Sequence, residues 1–251
     1  MLDKLELCTK AQELRESLGE DANSPVDIFS LINQIKGLTL VFYPLGKNIS
    51  GMCVRDDEIS LIAINSAMSY GRQRFSLAHE LYHLKYDDKS GFNVCSTKLD
   101  SKRENEKCAD QFASYFLAPY KSLREAIQKI AGKSQLSLQN VIELEQYFGM
   151  SHLAMFWRLV SEGYLSSNEL DNYSHGVISA ARTLGYDDRL YKPTPTNSQK
   201  RTLGYYLKQV EELRQRELVS SGKIDELLLD AYRDDIAFGL NDDDHEGEAI
   251  D

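Results

Sequence analysis

A dense run of apolar residues at helical spacing lies between residues 72 and 86, and no glycine or proline interrupts it. Apolar positions that recur every three to four residues are typical of a helix with a buried face. Because they cover so much of this run, we predict a mostly buried helix. Its apolar positions are Phe75, Leu77, Ala78, Leu81 and Leu84.

Two helical patterns and three short apolar runs precede this helix. Residues 2–18 carry an apolar stripe that Gly19 ends. A capping signal at residues 24–27 opens a second predicted helix, which continues to about residue 36. The apolar runs are separated by turn signals and predict a small antiparallel meander. These runs are residues 38–43, 51–55 and 59–65.

The stretch that follows the central helix is polar and irregular at residues 87–100, where we expect a loop. From residue 101 the pattern becomes helical again and ends before Pro119. This third predicted helix has a continuous apolar face, formed by Cys108, Ala109, Phe112, Ala113, Phe116 and Leu117.

Residues 137–148 and 151–162 predict two helices on either side of a stop at Gly149, which is the outline of a helix-turn-helix. The second of them is mostly apolar and offers only His152 and Arg158 to a base edge. We therefore favour a role in packing or substrate docking over reading DNA. Its aromatic residues are expected in the core: Phe156 and Trp157.

The final third of the chain changes character. Residues 171–199 are rich in turn signals and predict a linker or an extended wrap. Residues 203–218 and 224–232 predict an αα-hairpin, and the acidic tail at 242–248 is expected to be mobile.

Together these patterns predict an α+β, mainly helical protein in three units. The first, residues 1–131, is a domain that contains the central helix and the small antiparallel sheet. The second, 132–170, is the helix-turn-helix-like pair, and the third, 171–251, is a helical C-terminal extension.

Composition narrows the class of protein. Of the 251 residues, 42% are hydrophobic, which is ample for a core. No 18-residue apolar run and no signal-peptide pattern is present, so we expect a soluble cytoplasmic protein. A formal net charge of −10 argues against direct nucleic-acid binding and favours a basic partner. The four cysteines form no CxxC pair, so we expect reduced thiols.

The central helix carries the sequence HELYH, in which His79 and His83 are four residues apart. Residues at this spacing project from one helix face, where two imidazoles can bind a divalent metal. Glu80 lies beside them, in position to take a proton from an attacking water rather than to bind the metal. This is the zincin signature. The alternative is a helix with two hydrogen-bonded histidines and a solvated glutamate.

A third metal ligand is expected from the next helix, because zinc peptidases of the gluzincin type take a glutamate there and leave one position for water. Glu106 is preferred over Glu104, since Glu106, Ala109 and Ala113 form one line along the helix. Asp110 can accept a hydrogen bond from the outer nitrogen of a histidine ligand and fix its tautomer.

These two motifs, in this order, resemble the ImmA/IrrE family of metallopeptidases, and the resemblance covers roughly residues 25–165. The residues that carry it are 74–83 (RFSLAHELYH), Glu106, Ala109, Asp110, Phe112, Ala113 and 117–119 (LAP).

The resemblance implies a zincin-like fold, with His79, His83 and Glu106 as zinc ligands and Glu80 as catalytic base. It also implies a substrate class, helix-turn-helix transcriptional repressors that are cleaved to release the genes they silence. One departure is Cys108, where relatives often have a second acid. In zincins the strand before the metal helix commonly forms a sheet edge, so residues 59–65 are expected to accept an extended peptide there.

The predicted function is therefore a zinc-dependent endopeptidase that cleaves a helix-turn-helix repressor. The alternative is a non-proteolytic, zinc-stabilised regulator or toxin/antitoxin-type partner-binding protein, whose closed site would need a fourth ligand such as Cys95 or Cys108. The sequence does not decide which residue donates a hydrogen bond to the oxyanion of the tetrahedral intermediate. The four candidates are Tyr82, Tyr115, His152 and His175.

Overall fold

The computed structural model describes residues 3–56, 58–87 and 104–239, together with the backbone of residues 91–96. The predicted acidic tail at 242–248 lies outside the described residues. Helices dominate this part of the chain and surround one sheet, so the predicted α+β, mainly helical class is confirmed.

The helices in the first half of the chain are α1 (Lys4–Ser17), α2 (Tyr70–Tyr86), α3 (Glu104–Leu117) and α4 (Tyr120–Ile130). Those in the second half are α5 (Leu138–Phe148), α6 (His152–Ser161), α7 (Leu170–Tyr173), α8 (Val177–Thr183), α9 (Tyr205–Gln215), α10 (Ser221–Asp230) and α11 (Asp234–Ala237). Short 3-10 turns occur at Ser30–Gln34, Ser167–Glu169, Arg189–Tyr191 and Thr196–Ser198.

The strands are β1 (Leu38–Tyr43), β2 (Ile49–Arg55), β3 (Ser60–Asn65), β4 (Gly91–Ser96) and β5 (Arg201–Gly204). In the described part of the chain they form one sheet in the order β4-β2-β3-β1-β5. The predicted antiparallel meander is wrong, because β1 and β3 pair in parallel while the other neighbours are antiparallel. A tight turn joins β2 to β3, with Asp56 N donating to Ile59 O at 3.0 Å, and β3 then fills the space between β2 and β1.

The expected sheet edge at residues 59–65 is also wrong. β3 is hydrogen-bonded on both sides, to β1 and to β2, so its backbone is not available to a peptide. The loop expected at 87–100 is wrong over residues 91–96, which form β4 beside β2 and end the sheet on that side among the described strands. These six residues follow a polar run, and their apolar and polar positions alternate too little to predict a strand.

The second predicted helix, expected to open at the capping signal of residues 24–27 and to continue to about residue 36, is present only as the 3-10 turn Ser30–Gln34. β-branched residues and Asn33 have low helix propensity, and Gly37 turns the chain sharply into β1 with a φ of 74°. At this position a Cβ would lie 2.3 Å from the carbonyl oxygen of Glu58, so only glycine fits.

The helix-turn-helix-like pair forms as α5 and α6, with a capping box at Ser137 and Gly149 in the left-handed conformation. It packs on α2 through the buried Arg74, whose Nε donates to Gly149 O at 2.9 Å and whose Nη2 donates to Val26 O. Phe156 is in the core as expected, whereas Trp157 is 39% exposed, so the prediction for Trp157 is wrong.

The residues from 171 onward take part in the same packing as the first half of the chain. Strand β5 pairs with β1, and Tyr70 N donates to Lys192 O at 2.8 Å. Tyr173 is a member of the main core and donates to Leu136 O at 2.6 Å. The division into residues 1–131, 132–170 and 171–251 stays a prediction about sequence units, and packing crosses both of its boundaries.

The αα-hairpin predicted near the C-terminus is present as α9 and α10. These helices enclose a small apolar cluster of their own, formed by Val210, Ile224 and Leu228. Residue 203, expected to begin the first of these helices, lies in β5 instead. Among the described helices, none combines the length and the apolar character needed to cross a membrane.

Candidate metal centre

The two histidines of α2 meet at one point. His79 and His83 are both buried, and their Nε2 atoms lie 3.1 Å apart. The four-residue spacing on α2 places both rings on one face, with ring centroids 4.9 Å apart. Packing of α2 against the sheet and against α3 keeps this face out of solvent.

Glu106 reaches the same point from the first turn of α3. Its Oε2 is 3.4 Å from His79 Nε2, and its Oε1 is 3.6 Å from His83 Nε2. The three side chains each offer one donor atom, and these atoms lie within 4.8 Å of one another. Glu104, the competing candidate, is exposed and does not belong to this group.

These distances fit zinc. Tetrahedral zinc with bonds of about 2.0–2.1 Å requires its donor atoms to be about 3.3 Å apart. The observed separations of 3.1, 3.4 and 3.6 Å bracket that value. The set of two imidazole nitrogens and one carboxylate is also the donor chemistry of catalytic rather than structural zinc sites.

Each histidine is held by an aspartate at its outer nitrogen. Asp110 Oδ1 lies 2.8 Å from His79 Nδ1, and Asp87 Oδ2 lies 2.8 Å from His83 Nδ1. Asn105 donates to the other oxygen of Asp87 at 2.7 Å. A proton at Nδ1 leaves the lone pair of Nε2 directed at the shared centre, which is the tautomer that binds metal.

Asp87 was missed by sequence reasoning. The available signal was its position one turn after His83, the same relation that puts His83 one turn after His79. Asp110 was found because it lies one turn after Glu106 on an apolar helix face. The assigned roles of Glu80, Glu106 and Asp110 stay predictions.

The electrostatics of the site favour neutral imidazole at His83. Burial lowers the pKa of His83, and the nearby His79 lowers it further, against the opposing effect of Asp87. A neutral imidazole is the form that binds a metal ion.

Glu80 is fully buried beside the two histidines, at 0% exposure. It lies against β2 at Gly51, where a Cβ would be only 2.7 Å from Glu80 Oε1 and 3.1 Å from its Cγ. Cys53, two residues further along β2, faces the same side, and burial together with the charge of Glu80 raises its pKa to about 12. Gly51 was also missed, although a glycine inside a strand often marks a close approach of another group.

The cysteine alternatives do not join the described group of ligands. Cys108 lies beside Tyr82, and burial together with a contact to Cys108 raises the pKa of the Tyr82 hydroxyl. The side chain of Cys95 lies outside what the structure describes. The structure therefore groups three ligands, not four, among the side chains that it describes.

The four candidate oxyanion donors have other partners. His152 Nδ1 is 2.5 Å from Glu145 Oε1, and His175 Nδ1 is 3.0 Å from Asp171 O. The Cζ atom of Arg158 lies 4.0 Å from the centroid of the Tyr115 ring. The centroids of the Tyr82 and His83 rings are 5.8 Å apart. Of these, Tyr82 is the one in contact with a residue of the metal centre.

The fold and the cluster of two histidines and one acid, with a glutamate beside them, define a candidate metallopeptidase. Residues 33–159, about half of the chain, match the peptidase M78 family, described as the IrrE N-terminal-like domain. The chain belongs to this family, and the ImmA/IrrE resemblance is confirmed.

The chain is also similar to a curated protein over a shorter stretch. The radiation response metalloprotease IrrE of Deinococcus deserti is 42% identical over 57 residues, which cover 23% of this chain and 19% of the relative. The chain thus matches about a fifth of the length of this relative.

Proposed function

We propose that the protein is a zinc-dependent endopeptidase that cleaves a helix-turn-helix transcriptional repressor. The observation that carries this proposal is the spacing of the three donor atoms of His79, His83 and Glu106, which suits tetrahedral zinc, with Glu80 buried beside them.

His79, His83 and Glu106 would hold the ion, and Asp110 and Asp87 would keep both imidazoles in the tautomer that binds it. When bound, zinc lowers the pKa of a water molecule and polarises a peptide carbonyl.

Glu80 is the general base of the proposed reaction. It takes the proton that the attacking water loses as the new carbon–oxygen bond forms, and it donates a proton to the leaving amine as the carbon–nitrogen bond breaks. Gly51 leaves room for this carboxylate against β2.

The proposed substrate class comes from the family resemblance and is supported by charge. A chain with a net charge of −10 suits a basic DNA-binding protein. Peptides that add to a sheet edge must be extended, so cleavage would occur in a linker or a locally unfolded helix. β3 cannot accept such a segment, whereas β4 ends the described sheet next to β2.

Direct DNA reading by α6 is not part of the proposal. Arg158 is only 1% exposed and pairs with Glu162 at 3.2 Å, and His152 is bonded to Glu145. Neither side chain is presented to a base edge.

The test is co-expression with a helix-turn-helix repressor from a neighbouring gene, with and without DNA damage or oxidant. Wild type and the control variant Glu104→Gln should yield repressor fragments, while Glu80→Gln should yield none at equal zinc content. Loss of the general base alone lowers the rate by about 100- to 10,000-fold. Intact repressor under every condition, in a tight complex that forms without zinc, contradicts the proposal.

One observation favours a second candidate, a non-proteolytic partner-binding regulator. Glu80 has no exposed surface, whereas a general base must be reached by the water that it deprotonates. The same co-expression separates the two candidates, because the regulator would leave the repressor intact with either Glu or Gln at position 80, whereas the peptidase would cleave it only with Glu80.

A further inference from the structure

A second cavity, of about 420 Å³, lies at the start of α2 and away from the metal centre. Its walls come from the N-terminal segment, β1, the first turns of α2 and the segment 189–203 of the C-terminal region. Its size is within the range of small-molecule sites. The side chains that characterise it are Phe29, Phe42, Tyr70, Arg189, Lys192 and Arg201.

One wall of this cavity is aromatic. Phe29 lies between the other two rings, with its centroid 5.2 Å from that of Phe42 and 5.5 Å from that of Tyr70. All three rings are only partly buried, so they present apolar surface to the cavity. Because neighbouring rings are inclined by 70° and 61°, a ring system would stack on one of them rather than on all three.

The cavity is cationic in an otherwise acidic protein. The guanidinium of Arg189 stacks over Tyr70 at 4.5 Å, and Arg201 is paired with Phe42 in the register of β5 and β1. In the described part of the chain, neither arginine has a carboxylate within ion-pair distance. Lys192, by contrast, forms an ion pair with Asp188, with Nζ and Oδ2 2.8 Å apart.

The acids near the cavity are bound to other cations. Asp27, the acid in its wall, lies 3.6 Å from Arg74. Asp235, whose pKa is lowered first by Arg233 and only weakly by Arg201, is held by Arg233 at 2.6 and 2.7 Å. The charges of Arg189 and Arg201 therefore remain available to an anion.

We infer that this cavity binds a nucleoside phosphate. The phosphate would be bound by Arg189 and Arg201, because guanidinium groups form paired hydrogen bonds with phosphate oxygens. The base would stack on one ring of the wall formed by Phe29, Phe42 and Tyr70, a contact that accepts any base because every base has a π face. A bare anion would not use the aromatic wall, and an uncharged ring would not use the two arginines.

Binding would connect two parts of the chain that are distant in sequence. Tyr70 N donates to Lys192 O at 2.8 Å, and Gln73 Nε2 donates to Thr194 Oγ1 at 3.1 Å. Segment 189–203 is thus already attached to α2, the helix that carries His79. A ligand in the cavity adds contacts across this same junction and stabilises it.

The test is isothermal titration calorimetry on the full-length protein with ADP as the probe, compared with adenosine and with inorganic phosphate. ADP should bind at one site per chain, and each fragment should bind at least 10-fold more weakly. The double variant Arg189→Ala/Arg201→Ala should weaken ADP binding at least 10-fold. Arg216→Ala, which removes an exposed arginine at the C-cap of α9, is the control and should leave it unchanged.

Three results overturn the inference. These are the absence of saturable ADP binding at millimolar concentration, equal affinity in wild type and double variant, and equal affinity for ADP and phosphate. Both arginines are exposed, so the double variant should keep the wild-type melting temperature. If it does not, Phe29→Leu gives a second arm, in which ADP affinity must fall while phosphate affinity stays constant.

Discussion

A Cβ atom added to Gly51 would lie 2.7 Å from Oε1 of Glu80. Strand β2 therefore leaves space for the proposed general base only because residue 51 has no side chain. The nearest atom belongs to the end of a flexible side chain, so an added methyl group would move Glu80 more readily than it would disturb the sheet.

We accordingly predict that Gly51→Ala retains zinc and fold but lowers kcat by about 10- to 100-fold, as a displacement of about 1 Å does at a reacting group. Gly222→Ala is the control, because a Cβ there meets nothing within 4 Å. Peptidase assays and zinc analysis on both variants check this. Wild-type kcat in Gly51→Ala would show that the position of Glu80 does not depend on this glycine.

The aspartates that bond to the outer nitrogens should tune metal affinity. Asp87→Asn and Asp110→Asn are each expected to weaken zinc binding by about 10- to 100-fold, since they disturb the tautomer and orientation of one histidine. Competition with a chelator measures this. Asp171→Asn, next to His175 but away from the centre, is the control. Unchanged affinity in Asp87→Asn would remove that residue from the site.

The buried pair of Glu145 and His152 should make stability depend on pH. Burial raises the pKa of Glu145. Burial lowers the pKa of His152, but its hydrogen bond to Glu145 and the charge of that carboxylate outweigh this, and the pKa of His152 is raised. Both shifts mean that the folded protein holds more protons than the unfolded chain, so stability falls as pH rises.

The contribution of His152 is fully present below its unfolded pKa of about 6.5 and is lost as pH rises through its higher folded value. Urea unfolding measures the free energy of unfolding, which should fall more steeply between about pH 6 and 9 for wild type than for Glu145→Gln/His152→Gln. The difference in slope is up to about 1.4 kcal/mol per pH unit for each proton that the folded protein holds in excess. His175→Gln should keep the wild-type slope. Parallel curves for wild type and the double variant would contradict the assignment.

Truncation separates two parts of the C-terminal region. A chain ending at residue 170 loses β5, the core residue Tyr173 and the bond from Tyr70 N to Lys192 O, so we expect marked destabilisation. A chain ending at residue 204 keeps these and loses α9 to α11, which enclose a small cluster of their own. It also loses the bond from Tyr206 N to Thr39 Oγ1 and the contact between the rings of Tyr43 and Tyr232, but it should retain zinc and lose less stability than the shorter chain. Calorimetry of both chains checks this, and equal melting temperatures would contradict it.

The sequence was most informative where the signal is local. The periodicity of α2, the capping box at Ser137 and the left-handed stop at Gly149 each specify a structure within a few residues, and those helices form as predicted. The convergence of His79 and His83 follows from helix geometry alone.

Non-local features could not be predicted in this way. The position of β3 between β1 and β2 depends on pairing partners, and β5 joins β1 from about 160 residues further along the chain. Gly51 is likewise informative only once β2 is known to face α2. No spacing rule within one element reports such contacts.

X-ray absorption spectroscopy of the zinc-loaded protein tests most directly whether His79, His83 and Glu106 hold an open metal centre. We predict one zinc per chain with nitrogen and oxygen neighbours only, at about 2.0–2.2 Å. A sulfur neighbour at about 2.3 Å would show a cysteine ligand and a closed site, and would contradict the open metal centre.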